Sequence, residues 1–217
     1  MREGRRVTTI LATLLFVAAC GGGSTTSAKP SPTPSPTPVQ SRGVFGTDTI
    51  TTIAGTGKAG ISGDGGPATT AQLSYPEAVA VDVRGNVYIG DSYNHRVRMV
   101  SGGTITTIAG TGKADFSGDG GPASAASLSH PAGAAVDGQG NVYIASGARV
   151  RKVSGGTITT IAGTGIAGFS GDGGAAAMAQ LGGAIPGYAW GLAVDMQGNL
   201  YIADYSNSRV RKVVASA

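Results

Sequence analysis

The sequence predicts an all-β fold assembled from three copies of one four-stranded antiparallel unit. Three observations lead there. A pair of short motifs recurs at a nearly fixed interval, the apolar segments are short, β-branched and bounded by turn residues, and glycine fills 38 of 217 positions, more than twice its usual share. No Gly-X-Y period accompanies that glycine, which excludes a collagen helix. A hydrophobic content of 41% excludes wholesale disorder.

Residues 1–19 join a basic start (Arg2, Arg5, Arg6) to an apolar stretch from Val7 to Ala19. That is the composition of an export signal, and it is too short to span a bilayer comfortably. The stretch ends Val17-Ala18-Ala19-Cys20, which resembles the lipobox of bacterial lipoproteins. The resemblance implies cleavage before Cys20 and acylation of that residue by diacylglycerol and an amide-linked chain such as palmitate. More than one lipid chain gives stable anchoring, so the expected address is a bacterial cell membrane or outer membrane, facing away from the cytoplasm. The plainer alternative is an ordinary secretory signal with an incidental cysteine. As the sole cysteine, Cys20 leaves no intrachain disulfide and no cysteine-based zinc cluster.

From residue 20 to 47 the composition changes to a Gly-Gly-Gly-Ser run and then Pro30-Ser31-Pro32-Thr33-Pro34-Ser35-Pro36-Thr37-Pro38. Alternating proline favours an extended, semi-rigid polyproline conformation, so this segment reads as a spacer.

Residues 48–217 carry the repeats. Thr51-Thr52-Ile53-Ala54-Gly55 returns at Thr106 and Thr159, and Gly85-Asn86-Val87-Tyr88 returns at Gly140 and Gly198. Intervals of this size built from strand-like pieces indicate propeller blades or a solenoid. Within one unit, Ala78–Val81 forms a first strand, Asp82–Gly85 a turn, Val87–Ile89 a second strand and Asp91–Asn94 a second turn. Arg96–Val100, a Ser-Gly-Gly turn and Thr104–Ile108 complete a meander. Alanine in the first strand suits a crowded axis, and threonine in the last suits a solvated rim.

The run Pro76 to Asp82, Gly85 to Asp91 and Asn94-His95-Arg96 resembles an NHL repeat, and the match recurs at Pro131–Val153 and Pro186–Val213. NHL repeats form β-propellers, usually of six blades, and the resemblance implies such blades here. Two departures stand out: Ser146 replaces the aspartate found at Asp91 and Asp204, and the third unit inserts residues around Gly182 to Tyr188.

The repeats begin with an outer strand, Thr49 to Ala54, and stop after a third strand at Val213. Ring closure by strand exchange follows as an expectation, with the early strand completing the last blade and removing an exposed edge. Three blades fall below the usual four to eight. A homodimer forming a six-bladed ring, a fragment of a longer repeat protein, and a compact three-bladed monomer are the open alternatives.

Chemistry is thinly supplied. Beyond the basic start the chain holds 13 basic against 11 acidic groups, too small a surplus for a nucleic-acid field. Gly55 to Gly60 fits G-x-G-x-x-G but precedes no helix, so nucleotide binding is rejected. There is no Gly-x-Ser-x-Gly elbow. His95 and His130 would need a carboxylate as a third metal ligand; no metal or cofactor is expected. Asp64, Asp119 and Asp172 occupy equivalent places in long Ser-Gly-Asp-Gly-Gly connections, where they either rim a ligand face or cap tight turns. Asp91 with Arg96, and Asp204 with Arg209, are expected to clamp a hairpin as ion pairs, with Arg149 left free in the second unit. Arg98, Arg151 and Arg211 read as a solvated basic strand. Tyr93, Trp190 and Tyr205 join His95 as candidates for a contact face, with core packing as the alternative for Trp190.

The function these observations favour is a cell-surface binding or scaffolding module for protein or polysaccharide. A propeller lyase or hydrolase and a non-functional fragment are the alternatives.

Overall fold

The computed structural model describes residues 49–182 and 190–215. Cys20, the leader, the spacer and Tyr188 lie outside them. Residues 49–215 belong to one compact unit holding three antiparallel sheets, each a meander in chain order. Blade one contains β1 (Pro76–Val81), β2 (Val87–Asp91), β3 (Arg96–Ser101) and β4 (Thr104–Ala109). Blade two contains β5 (Pro131–Val136), β6 (Val142–Ser146), β7 (Arg149–Ser154) and β8 (Thr157–Ala162). Blade three contains β9 (Leu192–Val194), β10 (Leu200–Asp204) and β11 (Arg209–Val213).

The turns explain the registers. After each first strand an aspartate gathers the next hairpin: Asp82 Oδ1 accepts from the backbone N–H of Arg84 and Asn86, and Oδ2 from Asn86 Nδ2 and the Tyr88 hydroxyl. Asp137 and Asp195 repeat the arrangement with Asn141 and Tyr143, and with Asn199 and Tyr201. Burial of Tyr143, with its hydrogen bond to Asp137, pushes the phenol up to about 12. Between β3 and β4, Gly102 and Gly103 both take positive φ, the requirement of a tight two-residue hairpin that matches strand twist.

Blades pack through their inner strands, β1 against β5 and β5 against β9. Small residues permit this: a Cβ on Gly133 would lie 2.2 Å from the Trp190 carbonyl oxygen. The seam between blades one and two is filled by Val97, Ala109, Leu128 and Ile144, and the next seam by Val150, Ala162, Leu181 and Trp190. Leu128 and Leu181 are fully buried, each worth about 2 kcal/mol of transfer free energy. Trp190 is also buried, at 2% exposure. It belongs to the core and not to a contact face, because the inner strand that follows it carries its ring into the seam.

Blade three departs from expectation. Among the described residues no fourth strand pairs with β11, and Thr49 to Ala54 forms no strand at all. The chain does not close on itself through this segment: Gly55 N donates to Ala68 O, which ties the segment to blade one.

Candidate functional site

The three loop aspartates are each engaged by an arginine. Each reaches the third strand of its own blade and meets a guanidinium, buried for Arg98 and Arg151 and partly exposed for Arg211. Arg98 has no exposed surface; its Nε and Nη2 donate to Asp64 Oδ1 at 3.1 and 2.6 Å, Nη1 to Gln72 O and Nη2 to Ser62 O, both at 3.0 Å. Arg151 repeats these contacts with Asp119, Ser127 O and Ser117 O. Arg211 does so with Asp172, Gln180 O and Ser170 O. A planar fork with five donors is suited to hold a loop carboxylate and two loop carbonyls at once. The expectation of a solvated basic strand therefore fails, as does turn-capping by the aspartates.

The hairpin ion pairs also differ from expectation. Asp91 and Arg96 are cross-strand neighbours, yet Arg96 donates to Asn94 O and Thr111 O. The cation facing Asp91 is Arg98, at 3.8 Å. In blade three Asp204 faces Arg211 at 3.6 Å, and Arg209 donates to Asn207 O. Arg96 and Arg98 are two apart and share a face of the strand; Arg96 is taken up by the two carbonyls, as Arg209 is by Asn207 O, and Arg98 and Arg211 are the ones that reach the aspartate. Asp91 is wholly buried and accepts from Ser74 N at 2.7 Å and Asn94 Nδ2 at 2.8 Å. Burial nonetheless raises its carboxyl above the usual range, outweighing those donors and the two arginines. Blade two replaces the acid by Ser146, which bonds Ser129 through N–H and carbonyl. Arg149 is not free: it stacks 3.7 Å above Phe116 and donates to Thr164 O.

What remains exposed is an aromatic cluster where blade one meets the start of β5. Tyr75 and Tyr93 have ring centroids 4.4 Å apart, Tyr93 meets the His130 ring edge-on at 5.5 Å, and His130 meets His95 edge-on at 4.6 Å. His130 N donates to His95 Nδ1 at 3.3 Å. Tyr75, His95 and His130 all have positive φ, sparsely populated for such residues, and Tyr75 and His130 each precede a proline. Tyr75 and Tyr93 are the outward members. Tyr205 is exposed in blade three and is not part of this group. Tyr75 was missed in the sequence; its match to His130 before Pro76 and Pro131 was the available signal. No group of three or more His, Cys, Asp or Glu able to hold a metal occurs among the described residues.

Burial of His95, with the positive charges of His130 and Arg96, lowers its pKa from the ordinary 6.5. Folding therefore favours the neutral ring, and the unfolded chain binds more protons between 6.5 and the depressed value. Stability is expected to be complete above that window and to fall as pH drops through it. Proton NMR titration of His95, with denaturation curves across the same range, measures both. His95→Asn, which tolerates left-handed backbone, is expected to reduce the acid-side loss.

Comparison with known proteins follows the same division into blades. The family model described as NHL repeat matches residues 73–98 and 187–213, and that of the Teneurin NHL domain matches residues 112–167. A curated relative, the chloroplastic protein SUPPRESSOR OF QUENCHING 1 of Arabidopsis thaliana, is 39% identical over 75 residues, which cover 34% of this chain and 7% of that protein. A solved structural-genomics protein of unknown function from Bacteroides thetaiotaomicron superposes with a TM-score of 0.52 at 23% identity, over 60% of this chain and 32% of the other. An auxiliary nutrient binding protein from the same organism gives a TM-score of 0.43 at 17% identity, over 58% of this chain and 34% of its own. The chain thus spans about a third or less of the length of these relatives. With three sheets on one plan, and NHL patterns matched in each of them, the chain is an NHL-repeat protein of β-propeller blades.

Proposed function

We propose that the chain is an exported, lipid-anchored binding module whose recognition surface is the Tyr75, Tyr93, His95 and His130 cluster, taking a protein or polysaccharide ligand. The observation that carries this reading is the pair of exposed tyrosines in tilted contact, one just before β1 and one in the turn between β2 and β3. Two aromatic faces offer large contact area at little cost in conformational entropy. The loop aspartates, engaged with arginines, leave the aromatic cluster as the better support for recognition. The lipobox resemblance at Cys20 and the proline spacer support the anchor and the stand-off from a membrane. No helix among the described residues is long and apolar enough to cross one.

Capture from envelope extracts tests the reading. The wild-type chain is expected to retain a component that Tyr75→Ala/Tyr93→Ala binds about ten-fold more weakly, at an unchanged melting temperature. Protease treatment of the extract abolishes capture if the ligand is protein, and glycan digestion abolishes it if the ligand is polysaccharide. Equal retention by both chains would remove the tyrosines from recognition. Incorporation of labelled palmitate, lost in Cys20→Ser, tests the anchor.

A further inference from the structure

The hexapeptide Thr-Ile-Thr-Thr-Ile-Ala occurs three times, at residues 49–54, 104–109 and 157–162. Two copies are the fourth strands β4 and β8. The first copy forms no strand. Its natural partner also exists unpaired: β11 reads Arg-Val-Arg-Lys-Val, the same five residues that open β7, and β7 pairs with β8 while the outer edge of β11 meets no strand among the described residues. The molecule therefore holds one acceptor edge and one donor segment whose pairing it already demonstrates.

The acceptor is shaped in advance. In blade one Ile105 is buried among Ala68, Ala71, Ile89 and Val100. The corresponding residues of blade three are Ala176, Ala179, Ile202 and Val213, and these line a pocket of about 70 Å³ beside Gly173 and Gly174. Backbone groups wait there too. Gly65 N donates to Ile105 O and Ile105 N to Gly66 O; Gly120 and Gly121 do the same with Ile158. Gly173 N and Gly174 O have no such partner among the described residues. The isoleucine that would fit is Ile50, which is 100% exposed where Ile105 and Ile158 are 0%.

The donor belongs at the other end of the arc. Gly110 N and Gly163 N, which follow β4 and β8, donate to Ala123 O and Ala176 O of the next blade. Gly55 N donates to Ala68 O in the same way, so Thr49–Ala54 is placed to complete a blade preceding blade one. That place also lies open. Val79 on β1 is 64% exposed and Val210 on β11 is 76% exposed, whereas Val97 and Val150, the counterparts of Val210, are fully buried at the two formed seams. Both ends of the arc thus present the two halves of one seam.

We infer that two copies of this chain associate head to tail, each inserting Thr49–Ala54 as the fourth strand of the other's blade three. Ile50 fills the Ala176, Ala179, Ile202 and Val213 socket, Gly173 and Gly174 bond its backbone, and the Val210 face closes on the Val79 face. Reciprocal exchange leaves no open edge, and it gives a closed assembly of six blades with two-fold symmetry.

The register of β7 with β8 sets the test. Lys152 lies opposite Thr159, so Lys212 lies opposite Thr51 of the second copy. On a Cys20→Ser background, full chains carrying Thr51→Cys and Lys212→Cys are mixed and oxidised, and the uncrosslinked chain is weighed by light scattering. The expected results are a disulfide joining the two different chains and a two-chain mass. Ile50 is exposed in the single chain, so Ile50→Asp leaves its blades folded. Placing a carboxylate in the apolar socket is expected to weaken association at least about a hundred-fold, giving a single-chain mass at the same concentration. A single-chain mass without crosslink for the parent would overturn the inference, as would an intrachain disulfide in the doubly substituted chain or an open-ended ladder of crosslinked chains.

Discussion

Arg98→Ala is expected to destabilise the fold by about 3–5 kcal/mol, the range found when one partner of a buried ion pair is removed. The residue sits at 0% exposure and makes contact with two carboxylates and two loop carbonyls. Removing the guanidinium leaves Asp91 buried without a cation facing it and frees Gln72 O and Ser62 O from their donor. It also opens a cavity between β3 and the 62–73 loop. For a domain of this size the shift in melting temperature is about 6–20 °C. The other end of the pair behaves differently. The Asp64 side chain is 47% exposed, so Asp64→Asn, with water able to replace the lost contacts, is expected to cost about 1 kcal/mol or less. Chemical denaturation of both variants against the parent gives the comparison. Equal losses would show that the loop carboxylate, and not the buried guanidinium, holds the loop to the blade.

Gly133→Ala is expected to cost about 1–3 kcal/mol through overpacking, and to spend that loss at one seam. The added Cβ would meet Trp190 O at 2.2 Å and Ala145 Cβ at 2.9 Å. One contact is backbone and the other lies in a neighbouring strand, so neither yields by rotating a flexible side chain. Blade three must shift away from β5, exposing part of the surface around Leu181 and Trp190. Hydrogen exchange is expected to quicken in β9–β11 before β1–β4. Gly138→Ala serves as the control, since a Cβ there meets nothing within 4 Å and the residue does not need positive φ. Its effect is expected to be near zero.

The strands were legible because each carries its own punctuation. Asp82 to Gly85 and Ser101 to Gly103 announce turns by residue type, and β1 to β4 fall within two residues of the segments bounded by them. The site was less legible, for reasons of distance. Arg98 and Asp64 are 34 residues apart, and nothing local distinguishes a basic residue on a solvated edge from one covered by a returning loop. Asp91 lies opposite Arg96 in the hairpin register, but Arg96 and Arg98 share a face, and the strand period does not distinguish which of the two meets the acid. Trp190 follows the same lesson, since an aromatic beside an insertion resembles a contact residue until the neighbouring blade is in place. Thr49 to Ala54 shows the opposite case. Its identity to β4 and β8 reads as a strand, yet the segment forms none, because a strand needs an edge to pair with and no strand lies beside it among the described residues.

The two-glycine hairpin joining β3 to β4, repeated between β7 and β8, has a consequence during synthesis. Three copies of one hexapeptide give a growing polypeptide several equally good mates for each third strand, a recipe for mispairing among blades. Closing a hairpin of about two residues in place of a loop of about fifty spares roughly 3 kcal/mol of closure entropy. Proximity therefore decides between partners that chemistry cannot tell apart, and β3 and β7 each capture the copy emerging directly behind them.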